Sequence, residues 1–220
     1  MLTQLYNNIS KIFLYESRGS GFMKWTAHFC TITKHKMLVM KYCFSVGLYR
    51  QGLLHDLSKY SPTEFLVGAK YYQGTRSPNN AEKEKKGYSS SWLHHKGRNK
   101  HHFEYWLDYS GKKEPVFVGM KMPVCYVVEM FLDRIAACKT YQKEKYTQKS
   151  PLLYYENSKA YHVMHTDSQK LLEKLLHILA EQGEEKAFCY ARKLIKQQRK
   201  NDIKNFLYAH GIKKYFRKQF

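Results

Sequence analysis

The chain has 220 residues, of which 43% are hydrophobic and 25% charged, and its formal net charge is +20. This length allows one substantial hydrophobic core, and the composition is that of a folded protein rather than a disordered one. No stretch approaches the roughly 18 apolar residues that span a bilayer, and the N-terminus does not resemble a secretory signal. The positive charge predicts anionic partners: nucleic acid, nucleotides, phosphorylated small molecules or an anionic membrane surface.

Hydrophobic periodicity predicts a largely helical chain. The predicted helices, in chain order, span 2–15, 22–48, a short segment around 55–56, 61–72, 89–96, 101–109, 123–143, 150–164, 166 to at least 179, 184–200 and 202–218. Loops are expected at 73–88 and 110–122. The only strand candidate is 116–118, so the predicted fold class is all-α.

The helix start at Ser61 is the clearest of these boundaries. Serine caps helix N-termini, Pro62 suits the first helical position, and Glu64 stands where the acidic residue of a capping box is expected.

The cysteines do not form a disulfide or zinc-binding pattern. The five of them are scattered, odd in number and without a CxxC pair: Cys30, Cys43, Cys125, Cys138 and Cys189. This usage is typical of a reducing compartment. The sequence therefore predicts a cytoplasmic protein.

Histidines and aspartates are concentrated along the helical part of the chain, at His35, His55-Asp56, His94-His95, His101-His102 and Asp133. A metal that activates water needs imidazoles and carboxylates held rigidly, with a coordination position left open. Adjacent ligands such as His55 and Asp56 diverge by about 100° on a helix. They can therefore bind one ion near a helix end or bend, or serve two ions. Nitrogen and oxygen donors without thiolate suit Fe, Mn, Zn, Ni, Co or Mg.

This order of residues resembles the HD-domain superfamily of helical, metal-dependent phosphohydrolases, over about residues 28–140. The resemblance implies a first group of metal ligands: His35, His55, Asp56 and Asp133. It also implies a second group in which Asp56 bridges two ions: His95, His101 and His102. The run from His55 to Lys59 is similar to the HDxxK form, in which the lysine meets a substrate phosphate. The segment 92–106 looks like the signature of a small group of uncharacterised bacterial HD-like proteins.

Three further side chains are candidates for catalytic roles. Lys59 and Arg98 lie next to the candidate ligands, where cations would offset the charge of a substrate phosphate. Glu104 is a candidate general base, or a residue that orients a histidine. The alternative for Arg98 is that it belongs to a solvated basic turn, and the alternative for Glu104 is that it is an ordinary surface glutamate.

The resulting interpretation is an HD-like helical domain over 1–148 with a basic helical extension over 149–220. The predicted activity is hydrolysis of a nucleotide or another phosphorylated small molecule with two divalent ions, for which iron or manganese is favoured. One alternative is a di-iron enzyme that activates oxygen or peroxide on the same scaffold. The other is a protein that is not an enzyme and binds nucleic acid through its basic surface.

Overall fold

The computed structural model describes residues 21–210, with side chains from residue 23. The helices are α1 Gly21–Val46, α2 Tyr49–Leu54, α3 Pro62–Tyr71, α4 Pro78–Lys86, α5 Ser90–Lys96, α6 Val124–Gln142, α7 Ser150–Ser158 and α8 Thr166–Ala209. Short 3₁₀ helices cover Leu57–Tyr60, Phe103–Trp106, Lys143–Lys145 and Lys159–Tyr161. Strands β1 Leu107–Tyr109 and β2 Phe117–Gly119 form an antiparallel pair.

The predicted all-α class is confirmed for this part of the chain. None of the described helices combines the length and the hydrophobicity that a membrane span requires. The predicted helix over 2–15 and the end of the one over 202–218 lie outside the described residues.

The hydrophobic core lies between α1, α6 and α8. Helix α6 buries Val127, Phe131 and Ile135 completely, at the four-residue spacing that places side chains on one helix face. Leucines of α8 pack against the same face, together with Val39 of α1. The last helix therefore shares a core with the segment that carries the candidate ligands.

The predicted loop over 73–88 is wrong, because it contains helix α4. The helix has Pro78 in its first turn, and Glu82 is buried. Hydroxyl groups of the serines that precede and open α5 donate to the Glu82 carboxylate: Ser89, Ser90 and Ser91. This polar network stabilises a hydrophilic helix that shows no apolar stripe in the sequence.

The predicted helix over 101–109 is also wrong. Its residues form a 3₁₀ turn and then β1, which pairs with β2 inside the predicted loop over 110–122. The indole of Trp106 donates to the carbonyl of Lys100 at 2.8 Å and holds the turn closed. Helix α7 ends at Ser158, earlier than predicted, before a further 3₁₀ turn.

The long C-terminal helix is interrupted once. Gly183 has φ 89° and ψ 173°, and a Cβ there would lie 2.9 Å from the side-chain oxygen of Gln148. The predicted break before 184 is therefore confirmed, whereas helical structure continues through the break predicted at 201. Beyond Gly183, Arg192 donates to the carbonyl of Ser45 and Arg199 to that of Gly47, which caps the C-terminus of α1.

Candidate metal centre

A backbone bend places His55 and Asp56 side by side in one site. Helix α2 ends at Leu54, and Asp56 adopts a left-handed conformation with φ 54°, which aspartate tolerates better than most residues. Lys36 donates to the carbonyl oxygens of Leu53 and His55, at 2.8 and 2.9 Å. The bend thus removes the divergence that the two side chains would show on a continuous helix.

The first donor set consists of His35, His55, Asp56 and Asp133. The Nε2 atom of His35 lies 2.9 Å from Asp133 Oδ1 and 3.7 Å from Asp56 Oδ2. The Nε2 atom of His55 lies 3.3 Å from Asp56 Oδ2 and 3.5 Å from Asp133 Oδ1. Two imidazoles and two carboxylates from α1, the α2 bend and α6 therefore converge on one point.

The second donor set consists of Asp56, His95, His101 and His102. Here the other oxygen of Asp56, Oδ1, lies 3.2 Å from His95 Nε2 and 3.4 Å from His101 Nε2. The Nε2 atoms of His95 and His102 are 2.9 Å apart. Asp56 is thus common to both sets and presents one oxygen to each.

Two buried glutamates contact the Nδ1 atoms of the histidine rings, on the side opposite the Nε2 atoms that converge. Glu129 Oε1 lies 2.9 Å from Nδ1 of His55 and 3.3 Å from Nδ1 of His101. Glu64 lies 2.7 Å from Nδ1 of His95, and its other oxygen lies 2.6 Å from Nδ1 of His94. A carboxylate on one ring nitrogen fixes the tautomer and directs the other nitrogen toward a metal. Glu129 serves a histidine of each set, whereas Glu64 serves the second set alone.

The predicted capping box at Ser61 is wrong, since Glu64 contacts histidines instead. No side chain caps the start of α3, although Pro62 occupies the first turn as predicted. The buried Ser61 hydroxyl has no hydrogen-bond partner.

The donor atoms fit divalent metal ions. Four buried atoms of the two sets make no hydrogen bond of acceptable geometry: His35 Nε2, His55 Nε2, Asp56 Oδ1 and His101 Nε2. Metal–ligand bonds of about 2.0–2.2 Å separate neighbouring ligand atoms by about 3.0–3.5 Å, and most of the separations above are close to this interval. Buried polar groups without partners are unfavourable, and an ion in each set would satisfy these four.

The protonation states of the two aspartates and of His102 suit metal binding. Burial alone would raise the pKa of Asp56 and Asp133, but the adjacent histidines, together with Lys59 beside Asp56, hold both pKa values well below the usual range. Burial, and then His101 and His95, lower the pKa of His102 well below its usual value. Anionic carboxylates and neutral imidazoles are the forms that coordinate metals. Burial alone would lower the pKa of His55 and His95, but the carboxylate of Asp56 raises both, so an ion competes with a proton for these two rings.

A cavity of about 470 Å³ opens beside both donor sets. His35, Asp133, His95 and His102 line it, as do Lys59 and Glu104. The ammonium of Lys59 lies 2.5 Å from Asp56 Oδ2, so it faces both the cavity and the shared carboxylate. Arg98 does not line this cavity, because its guanidinium is exposed and donates to the carbonyl of His94 at 3.2 Å.

The family model with the description "Family of unknown function (DUF5662)" matches residues 24–178. The chain belongs to this family. No curated protein and no solved structure matches it. The DUF5662 match spans both donor sets and both supporting glutamates, and it ends within α8. Because the description gives no activity, the HD-domain resemblance stays a prediction.

The structure brings together all seven side chains that the sequence analysis singled out as metal ligands. Sequence reasoning missed Glu64 and Glu129 as their partners. The available signal for Glu129 was a carboxylate one helical turn before Asp133 in an otherwise apolar stretch. Glu64 offered no such signal, because an acidic residue in the first turn of a helix is common for its favourable interaction with the helix dipole.

Proposed function

We propose that this DUF5662 protein is a metal-dependent phosphohydrolase that acts on a nucleotide or another phosphorylated small molecule. The observation that carries the proposal is the shared carboxylate of Asp56, which presents one oxygen to each donor set beside a cavity. Two divalent ions bound there would polarise a phosphoryl group and lower the pKa of water to near neutrality.

The cavity favours a small substrate over a nucleic-acid strand. Its volume of about 470 Å³ lies within the range of about 300–1,000 Å³ that is usual for small-molecule sites. A net charge of +20 attracts anions of either kind to the protein. The size of the cavity therefore argues for the small molecule.

Lys59 is the residue that we expect to meet the phosphoryl group. Its ammonium uses one donor on Asp56, and an ammonium has three. The remaining donors can bind a phosphoryl oxygen, where the positive charge stabilises the negative charge that develops during transfer. Glu129 and Glu64 orient the imidazoles around this point and keep the donor atoms converged.

We also infer a cytoplasmic location. All five cysteines are free thiols, and proteins of oxidising compartments more often pair them.

The test is phosphate release by protein loaded with manganese or iron, without a histidine tag, from a panel of nucleotides and from p-nitrophenyl phosphate. Asp56→Ala should abolish release, because both donor sets lose a ligand. Asp202→Ala, a change at an exposed aspartate, should leave release unchanged. Metal-loaded protein that releases no phosphate from any member of the panel would exclude the proposal.

A di-iron redox enzyme is the second candidate. The donor sets contain five imidazoles and two carboxylates, and iron binds both kinds of ligand well. Oxygen consumption by iron-loaded protein, combined with the absence of phosphate release, would favour this function. A metal that is redox-silent in a protein that releases phosphate would exclude it.

A further inference from the structure

Arg134 lies in the wall of the cavity, where the charges of Asp133 and Glu104 act on it but neither carboxylate forms a close ion pair with it. It follows Asp133 on α6 and lines the same cavity as the metal centre. Its Nε atom is buried and has no hydrogen-bond partner, and among residues 23–210 no carboxylate forms an ion pair with it. The guanidinium carbon instead lies 5.9 and 5.6 Å from the ring centroids of Tyr154 and Tyr155.

This arrangement points to an anionic ligand. A cation withdrawn from water is unfavourable unless an opposite charge accompanies it. The carboxylate of Asp133 is directed at His35 and His55, and Glu104 acts on Arg134 through its charge without a hydrogen bond between them. The tyrosine rings contact the guanidinium as cation–π partners. Its N–H groups remain free for the two parallel hydrogen bonds that arginine makes to a carboxylate or phosphate.

Two more unpaired polar atoms face the same part of the cavity. Glu104 Oε2 and His162 Nδ1 are buried without a hydrogen-bond partner, and both residues line the cavity with Arg134. The His162 ring packs on Phe103 with centroids 4.6 Å apart. Burial and the charge of Arg134 lower the pKa of His162 to about 4, so its neutral ring can donate to an anion or accept from a hydroxyl group.

We propose that Arg134, His162 and Glu104 form a second polar subsite that binds an anionic group of the substrate other than the phosphoryl group at the metal centre. Arg134 binds this second group, which is a carboxylate or a phosphate. Glu104 accepts a hydrogen bond from a hydroxyl or amino group beside it, because a carboxylate next to an anion needs a donor between them. This narrows the substrate class to small phosphorylated molecules with a second acidic group, and it rests on the proposed function.

Isothermal titration calorimetry on the metal-loaded full chain tests the subsite. The probes are methylphosphonate, which has one anionic group, and phosphonoacetate and methylenebisphosphonate, which add a carboxylate or a second phosphonate. We expect one of the latter two to bind about tenfold or more tightly than methylphosphonate, as a charged bidentate pair does. Which of the two binds better identifies the second group.

The variant Arg134→Met should remove this advantage and leave methylphosphonate binding unchanged. Arg134→Lys keeps the charge but loses the bidentate geometry, so it should retain part of the tighter binding of the two-group probes. This variant replaces Arg134→Met in the test if the methionine variant does not fold. Arg50→Met, at an exposed arginine of α2, is the matched control and should behave as the unaltered protein. Equal affinities for all three probes, or an advantage that survives Arg134→Met, would overturn the subsite.

Malonate, which contains no phosphorus, separates this inference from the proposed function. If metal-loaded protein binds malonate in a manner that depends on Arg134 but binds no phosphonate, the subsite stands and the phosphohydrolase proposal fails. If phosphonates bind without dependence on Arg134, the subsite fails, and the proposed function is left to the assay of phosphate release. If no probe binds in an Arg134-dependent manner, the subsite is overturned.

Discussion

The two donor sets of the metal centre are held by different parts of the fold. His35 and Asp133 of the first set project from α1 and α6, whose apolar faces form the hydrophobic core. His95 of the second set lies on the seven-residue helix α5. The buried contacts that fix α5 are polar: Glu64 binds the ring of His95, and Glu82 binds the serines at the helix start.

This difference separates two ways of building a rigid site. Apolar packing of α1 against α6 fixes the positions of His35 and Asp133 in the first set, and this packing does not depend on pH. Carboxylate hydrogen bonds fix the second set, so its geometry depends on the ionisation of a few glutamates. His35 and Asp133 should therefore keep their positions under conditions in which His95 loses its own.

The largest effect is expected from a change in the core beside the first set. Phe131→Ala removes a fully buried ring two residues before Asp133 and should lower the free energy of unfolding by about 3–5 kcal/mol. Urea unfolding measures this. Phe206→Ala, at a ring that is 59% exposed, is the control and should have little effect. Equal losses in the two variants would refute the location of the core.

Acid should weaken the attachment of the second set through Glu82. Burial would raise the pKa of Glu82, but hydrogen bonds from Ser89, Lys86, Ser90 and Ser91 lower it from 4.5 to about 2. Because the pKa is lower in the folded protein, Glu82 stabilises the fold by about 3 kcal/mol above pH 4.5, and this stabilisation is lost as the pH falls toward 2.

The measurement is the difference in unfolding free energy between the unaltered protein and Glu82→Gln, taken at several pH values. The difference should be largest near pH 6 and should shrink as the pH falls below 4.5. Glu144→Gln, at an exposed glutamate, should show no such trend. A difference for Glu82→Gln that is constant with pH would contradict the role of this network.

Glu129→Gln should lower the affinity of the protein for both ions. This residue contacts one histidine of each set, His55 and His101, and loss of such an outer carboxylate typically lowers metal affinity about 10- to 100-fold. Competition with a chelator of known affinity measures the change for each ion. Unchanged affinity for both ions would show that the histidines hold their orientation without Glu129.

Glu64→Gln should have the smallest effect and should act on one ion only. Glu64 contacts His95 in the second set and none of the histidines of the first. We expect about tenfold weaker binding of one ion and an unchanged affinity for the other. Glu185→Gln, at an exposed glutamate of α8, is the control. An equal loss of affinity for both ions would mean that the two donor sets do not bind their ions independently.

The sequence was sufficient for the elements that carry strong local signals. The long apolar patterns predicted α1 and α6, and the proline after Ser61 predicted the start of α3. Asp133 stood out because a buried aspartate requires a cation or a donor beside it, and clustered histidines are typical metal ligands. The division of the candidate ligands into two sets was implied by the family resemblance. The shared position of Asp56 was expected from the family resemblance, and the structure brings its two oxygens to the two sets.

Features that depend on distant partners could not be predicted. Helix α4 is hydrophilic and is stabilised by serines that follow it, so its pattern was that of a loop. For Glu129 the sequence offered a carboxylate one helical turn before Asp133, but its contacts with His55 and His101 follow only from the packing of α6 against the α2 bend. Arg134 is informative because no carboxylate of the described residues forms a close ion pair with it, and a sequence cannot show the lack of a hydrogen-bond partner.

The most direct test of the shared site is elemental analysis of purified protein after metal reconstitution, without a histidine tag. The account predicts about two ions per chain in the unaltered protein and in Asp202→Ala, about one in His95→Ala, and none in Asp56→Ala. Absence of metal from the reconstituted protein, or retention of both ions by Asp56→Ala, would contradict it.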